Sequence, residues 1–168
     1  MSKVYLAMYK ARGNLVDKII RLCTGKPYSH CEVIEEGYEL ICYSDWVTNK
    51  DRVSSVPCYR LYSSSPRDDG VRCKTILQEK FKSENWDLIQ ISHLTSGQKI
   101  KQFYEQTQGK KYDFLGAIGC VLPLRQKPSR YYCSEWCYEA ILGEAPKKAL
   151  SPNKLAELIK GGFTSHKV

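Results

Sequence analysis

The stretch Tyr131-Tyr132-Cys133-Ser134-Glu135-Trp136-Cys137-Tyr138-Glu139-Ala140-Ile141-Leu142 constrains this 168-residue chain more than any other. As a helix beginning near Cys133, it sets Trp136, Cys137, Ala140 and Ile141 on one apolar face, at the spacing of three and four that an amphipathic helix requires. Cys133 then stands at the N-terminal end. There the unpaired backbone N–H groups and the positive end of the helix dipole favour an anion and lower a thiol pKa. Arg125, Lys127 and Arg130 add three cations within eight residues of that thiol, favouring its charged form further. The competing reading is an inert cysteine, because free cysteines are among the most buried residue types. Cys137, one turn on, fits that description and reads as core packing.

The layer against this helix is written as strands. Lys3 to Tyr9 alternates and is rich in aromatic and branched residues. Ser29 to Ile34 and Tyr38 to Tyr43, with Glu36-Gly37 between them, predict a β-hairpin. Further strands are expected at Cys58 to Tyr62, Val71 to Ile76 and Trp86 to Ile91, with a turn-rich loop from Ser63 to Gly70. Helices are expected after Asn14 (apolar side Leu15, Val16, Ile19, Ile20, Cys23, ending at Gly25) and after Thr95 or Ser96 (Ile100, Phe103, Tyr104, Thr107, closing at Gly109). Asp113 can cap a short apolar segment from Phe114 to Val121. Ser151-Pro152 opens a last helix with Leu155, Leu158 and Ile159 inward. Residues 1–168 read as one α+β domain, a mostly antiparallel sheet with helices packed on it.

Composition narrows the function classes. With 42% hydrophobic and 26% charged residues the chain is that of a soluble globular domain. It has no apolar run of membrane-spanning length, and its first residues lack the apolar core of a secretion signal, so the cytoplasm is the expected compartment. The eight cysteines are then expected to stay reduced. No Cys-x-x-Cys pair occurs, Cys31 and Cys42 could at most meet across the hairpin, and no metal or other cofactor is expected. The net charge of +8 points to acidic partners or a solvated face. Its cations are scattered, and no nucleic-acid motif accompanies them.

Three histidines could serve Cys133 as a base. His166 lies in the terminal tail and His93 in a connection before a helix cap. His30 opens a predicted strand, and a strand histidine facing a helix N-terminus is the geometry of thiol hydrolases, where the ring takes the thiol proton and later protonates the leaving group. The alternative for His30 is a half-buried strand residue with one hydrogen bond.

Tyr28-Ser29-His30-Cys31-Glu32-Val33-Ile34 early, and Tyr132-Cys133-Ser134-Glu135 late, resemble the circularly permuted NlpC-like papain-fold hydrolases, the YiiX/YaeF-like group. In that group a Ser-His strand precedes a Cys-Ser-Glu helix. Lys111-Tyr112-Asp113-Phe114-Leu115-Gly116 and Ser151-Pro152-Asn153-Lys154-Leu155 resemble the segments that flank its nucleophile. Asp68-Asp69-Gly70-Val71-Arg72 followed by Trp86-Asp87 looks like small homologues associated with bacteriophage genomes. The resemblance runs from Val4 to about Leu158.

It implies a papain-like antiparallel sheet or small barrel packed against helices, and a cysteine hydrolase that cleaves an amide-type bond in a peptide or modified protein. Cys133 would attack, His30 would move the proton, and the Cys133 backbone N–H would help hold the oxyanion. A third residue orients the histidine in such folds. A turn at Glu36-Gly37 points to Ser44 (or Tyr43), matching the Asp-Gly-Val segment points to Ser64 or Ser65, and Glu32 shares the face of His30 but lies two residues along. Ser44 is the choice made from the sequence. Two other functions remain open: acyl transfer or thioester cleavage on a lipid-like substrate, and a non-catalytic basic protein that binds an anionic component through Arg125, Lys127, Arg130, Lys147 and Lys148.

Overall fold

A computed structural model of the chain describes residues 2–13, 15–25, 27–45, 50–113 and 129–161. Its elements are β1 (Val4–Tyr9), α1 (Leu15–Thr24), β2 (His30–Asp45), β3 (Lys50–Ser65), β4 (Gly70–Leu77), β5 (Trp86–Gln90), α2 (Gly97–Thr107), β6 (Lys111–Tyr112), β7 (Arg130–Tyr131), α3 (Cys133–Leu142) and α4 (Pro152–Lys160). The strands form one curled, half-barrel sheet in the order β5-β1-β2-β3-β4-β6-β7. Every pairing is antiparallel except β6 with β7. The class is therefore α+β, as the strand and helix periodicities predict.

Strand alternation decides which residues meet the helices. Val4, Leu6 and Met8 of β1, Cys31 and Val33 of β2 and Tyr62 of β3 join Cys133, Trp136, Cys137, Ala140 and Ile141 of α3 in the main core, with Ile100, Leu155 and Ile159 from the other helices. The expected apolar face of α3 is thus its buried face. Trp136 satisfies its indole N–H on Thr107 Oγ1 at 2.9 Å. Ala7, Ile34 and Leu61 point to the opposite side of the sheet and pack beneath Tyr59, Phe81 and Trp86. The Ser96 and Ser151 caps and the stops at Gly25 and Gly109 are the expected ones, and Gly143 is an added stop. Ser96 accepts from Lys99 N, Ser151 accepts from Lys154 N, and Gly25, Gly109 and Gly143 take positive φ where α1, α2 and α3 end. The Asn14 cap and the Phe114–Val121 segment lie outside the described residues.

Three expectations are corrected. Glu36-Gly37 is no turn: β2 runs through it unbroken, with Glu36 opposite Tyr59 and Gly37 opposite Cys58. Gly37 instead lies in extended strand beside the Arg60 guanidinium, with Nη1 3.2 Å from where a Cβ would be. Tyr38–Asp45 consequently pairs with Lys50–Pro57 as a ribbon beyond the sheet, since the β1 pairing stops at Glu35 and that of β4 at Cys58. Second, Ser63 to Ser65 close β3 as buried strand residues, and the turn is confined to the 3₁₀ segment Pro66–Asp68 and Asp69. Third, Leu158 is 37% exposed and Ala156 takes the inward place. Among the described residues no helix is long and apolar enough to cross a membrane.

Gly70 joins this turn to the sheet at φ 148°, with the Lys110 carbonyl oxygen 2.1 Å from where a Cβ would be. Neither the conformation nor the space suits a side chain. Gly70→Ala should cost about 2–3 kcal/mol in a urea unfolding titration, through displacement of the β4–β6 junction.

Candidate active site

Two element ends meet at the site. His30 is the first residue of β2 and Cys133 the first residue of α3. The two side chains lie close enough to shift each other's protonation, and the buried Cys31 thiol acts on Cys133 in the same way. The α3 N-terminus is held by Glu135, whose Oε2 accepts from Tyr132 N at 3.3 Å. The ring of His30 continues outward: Nε2 lies 3.2 Å from Glu32 Oε1. Glu32 is gripped by both arms of one guanidinium, Arg72 Nη2 to Oε1 at 2.5 Å and Nη1 to Oε2 at 3.3 Å. Arg72 Nε in turn bonds Asp68 Oδ2 at 3.1 Å, and Lys74 Nζ lies 2.6 Å from Asp68 Oδ1.

Strand register explains this meeting. Arg72 stands opposite Ser63, and continuing the β2–β3 register by one residue sets Ser63 level with Glu32. Glu32, Ser63 and Arg72 therefore form a row across three strands. The middle residue is small and fully buried, so the guanidinium can reach over it. Its hydroxyl is satisfied separately, donating to Cys31 O at 2.7 Å.

These contacts set the protonation states. Burial alone would keep the Cys133 thiol neutral, but the hydrogen bond from Cys31 and the charge and hydrogen bond of His30 outweigh it and hold the thiol well below its ordinary range. Burial likewise opposes a charged His30. The Cys133 thiolate first, then Glu32, override it and push the imidazole up from 6.5 to about 10. Burial would raise Glu32, yet the His30 hydrogen bond and the Arg72 charge leave its carboxyl below the usual value. The resting pair is thus thiolate and imidazolium, backed by a carboxylate and a guanidinium.

The residues expected from the sequence separate accordingly. Cys133 and His30 come together. Ser44 does not join them: it lies near the far end of β2, exposed, with its hydroxyl on Asp51 Oδ1 at 2.7 Å. Its choice depended on a turn at Glu36-Gly37 that the chain does not make. Ser64 Oγ donates to Tyr131 O at 2.8 Å, and Ser65 Oγ accepts from Arg67 N. The group on the imidazole is Glu32. Two residues along a strand is about 7 Å between backbones, and the two long side chains close that gap by leaning together. Arg72, inside the Asp68–Arg72 segment, had no role assigned from the sequence, since only tertiary register sets it beside Glu32.

Other expectations change too. The lowered thiol pKa comes from Cys31 and His30, while Arg130 is exposed on β7 and Arg125 and Lys127 lie outside the described residues. Cys42, far along β2, is exposed and Cys31 is in the core, so the two do not meet. His93 is exposed, and His166 lies outside the described residues. Among the described residues no group of three or more His, Cys, Asp and Glu side chains is arranged to hold a metal ion.

A cavity of about 340 Å³ opens in front of His30. Tyr9, Trp86 and Tyr112 give it aromatic walls, Ile20 and Pro66 add apolar surface, and Asp17, Glu32, Arg67, Asp68, Arg72 and Lys74 bring charged groups to its lining. Cys133 has no exposed surface and lies behind His30, whose side chain is 17% exposed. Comparison of the chain with protein-family models, with curated proteins and with solved structures gave no match in any of the three.

Replacing Arg72 tests the electrostatics directly. Arg72→Leu leaves the Glu32 carboxylate buried without its main cation, which should destabilise the protein by about 3 kcal/mol at neutral pH. In the native protein the Glu32 pKa is depressed, so its stabilising contribution exists above the ordinary carboxylate value and is lost as pH falls. The deficit of Arg72→Leu should therefore shrink in urea titrations run at about pH 4, where Glu32 can be protonated.

Proposed function

We propose that the protein is a thiol hydrolase of papain-like type that cleaves an amide-type bond in a peptide or modified protein. The observation that carries this reading is the buried Cys133–His30–Glu32 contact, in which the thiol is depressed and the imidazole raised. Structural cysteines in apolar surroundings show the opposite shift, as Cys31 does.

In this reading the Cys133 sulfur attacks the carbonyl carbon, and the carbonyl π electrons move to oxygen. The oxyanion faces the first N–H groups of α3, including that of Cys133, where the helix dipole is positive. His30 gives its proton to the departing amine as the C–N bond breaks, leaving a thioester on Cys133 and a neutral imidazole. The imidazole then takes a proton from water as the water oxygen attacks the thioester. Collapse releases the acid and restores the thiolate–imidazolium pair. Glu32 keeps the imidazole oriented and stabilises its charge, and Arg72 keeps Glu32 ionised. Because Cys133 is covered at rest, His30 or its neighbours must shift as substrate enters from the cavity.

The cavity combines aromatic walls with ion-paired side chains beside His30, and a peptide offers both apolar side chains for the former and backbone hydrogen-bonding groups for the latter.

Incubation with peptide amides, esters and thioesters, followed by acid quenching and mass analysis, should reveal an acyl group on Cys133. Cys133→Ala should lower turnover at least about a thousandfold while leaving the circular dichroism unchanged, and a fully active Cys133→Ala protein would sink the reading. The active form needs thiolate and imidazolium together, so activity should persist from mildly acidic pH and fall as His30 deprotonates through about 10. Glu32→Gln removes a charge that raises His30, and should move that alkaline limb down by about one pH unit.

A further inference from the structure

The backbone immediately before His30 is gripped from the far end of the chain. Asn153, in the first turn of α4, is buried, and its side-chain amide makes a two-point contact with one residue. Asn153 Oδ1 accepts from Tyr28 N at 3.0 Å, and Asn153 Nδ2 donates to Tyr28 O at 3.0 Å. That is the pairing a neighbouring β-strand would provide, supplied by a side chain just before β2 begins. The residues on either side of the grip are held as well. The Tyr28 hydroxyl donates to Asp87 Oδ2 at 2.7 Å, Ser29 N donates to Tyr9 O at 3.2 Å, and Ser29 Oγ donates to Asp17 Oδ1 at 2.9 Å.

We propose that Asn153 is a positioning residue for His30, acting through the Tyr28 backbone; the inference rests on the Cys133–His30 reading above. His30 is the first residue of its strand, and its ring must face the Cys133 sulfur on one side and Glu32 on the other. A strand terminus otherwise frays, and a small backbone rotation at Tyr28 or Ser29 would swing the imidazole away from one partner or both. The buried amide fixes two of the backbone groups that such a rotation would move. α4 also packs on α3 through the shared core, so one helix references both the strand that carries the base and the helix that carries the thiol. Within the same helix start, Ser151 caps its own helix by accepting from Lys154 N, whereas Asn153 reaches across to the residues before His30.

Alkylation of Cys133 by iodoacetamide, read by peptide mass spectrometry across pH, tests this without any substrate. In the native protein Cys133 should react at about pH 6 nearly as fast as at about pH 9, the mark of a thiolate, and His30→Ala should lose that low-pH reactivity. Asn153→Ala should slow the reaction at about pH 6 roughly tenfold as the thiol returns toward its ordinary range, with the rate at high pH retained. Asn153→Asp keeps an acceptor for Tyr28 N but offers the Tyr28 carbonyl no donor. It should give an intermediate profile, and it carries the test if Asn153→Ala does not fold. Asn153 variants that keep the native pH profile while His30→Ala loses it would overturn the inference and leave the dyad standing. A uniform change in rate at every pH would also overturn it, as a merely structural effect. A native protein in which Cys133 titrates like an ordinary thiol, unchanged in His30→Ala, would remove the dyad itself.

Discussion

The arrangement depends on a chain of alternating charge that begins buried and ends at the surface. From Cys133 the signs run negative, positive at His30, negative at Glu32, positive at Arg72, negative at Asp68 and positive at Lys74. Each buried ion loses its hydration and is made tolerable by the opposite charges beside it. Such a chain adds little net stability, since desolvation offsets most of the Coulomb gain. What it does is settle protonation: a thiol that burial would keep neutral becomes the preferred place for negative charge, because an imidazolium, itself propped by Glu32, lies against it.

The fold exists, in effect, to hold two element ends against each other. A strand end is the least constrained part of a sheet and a helix N-terminus the least satisfied part of a helix, and this structure places His30 on one and Cys133 on the other. Rigidity has to come from the surroundings. The main core anchors α3 through Trp136, Cys137, Ala140 and Ile141, while β1 on one side of β2 and β3 on the other set its register. Ser63 then decides whether Arg72 can reach Glu32 at all, since a large side chain in that row would separate the two charges.

Much of the fold was legible because its signals are local. The α3 face, the caps at Ser96 and Ser151, the strands at Val4–Tyr9 and Trp86–Gln90 and the glycines that end the helices each follow from a few neighbouring residues. Glu36-Gly37 has turn chemistry locally, yet pairing with Tyr59 and Cys58 of β3 keeps it extended. Thirteen residues of β3, Lys50 to Tyr62, lie opposite β2, and the glycine fits beside Arg60 in extended form. The turn expected there also displaced the third site residue to Ser44, since the residue opposite His30 was counted from a hairpin that does not form.

By itself, the sequence determined the helix that begins at Cys133 and the strand that begins near His30, because periodicity and capping are properties of contiguous residues, and it offered the two as a candidate pair. Tertiary structure decided the rest. Glu32 is the partner of the imidazole because two long side chains on one strand face lean together. Arg72 joins it because register across β2, β3 and β4 brings together residues forty apart in the chain. Asn153 reaches Tyr28 because α4 packs where β2 begins. Long-range register and packing have no local signature, and on them the chemistry of the site depends.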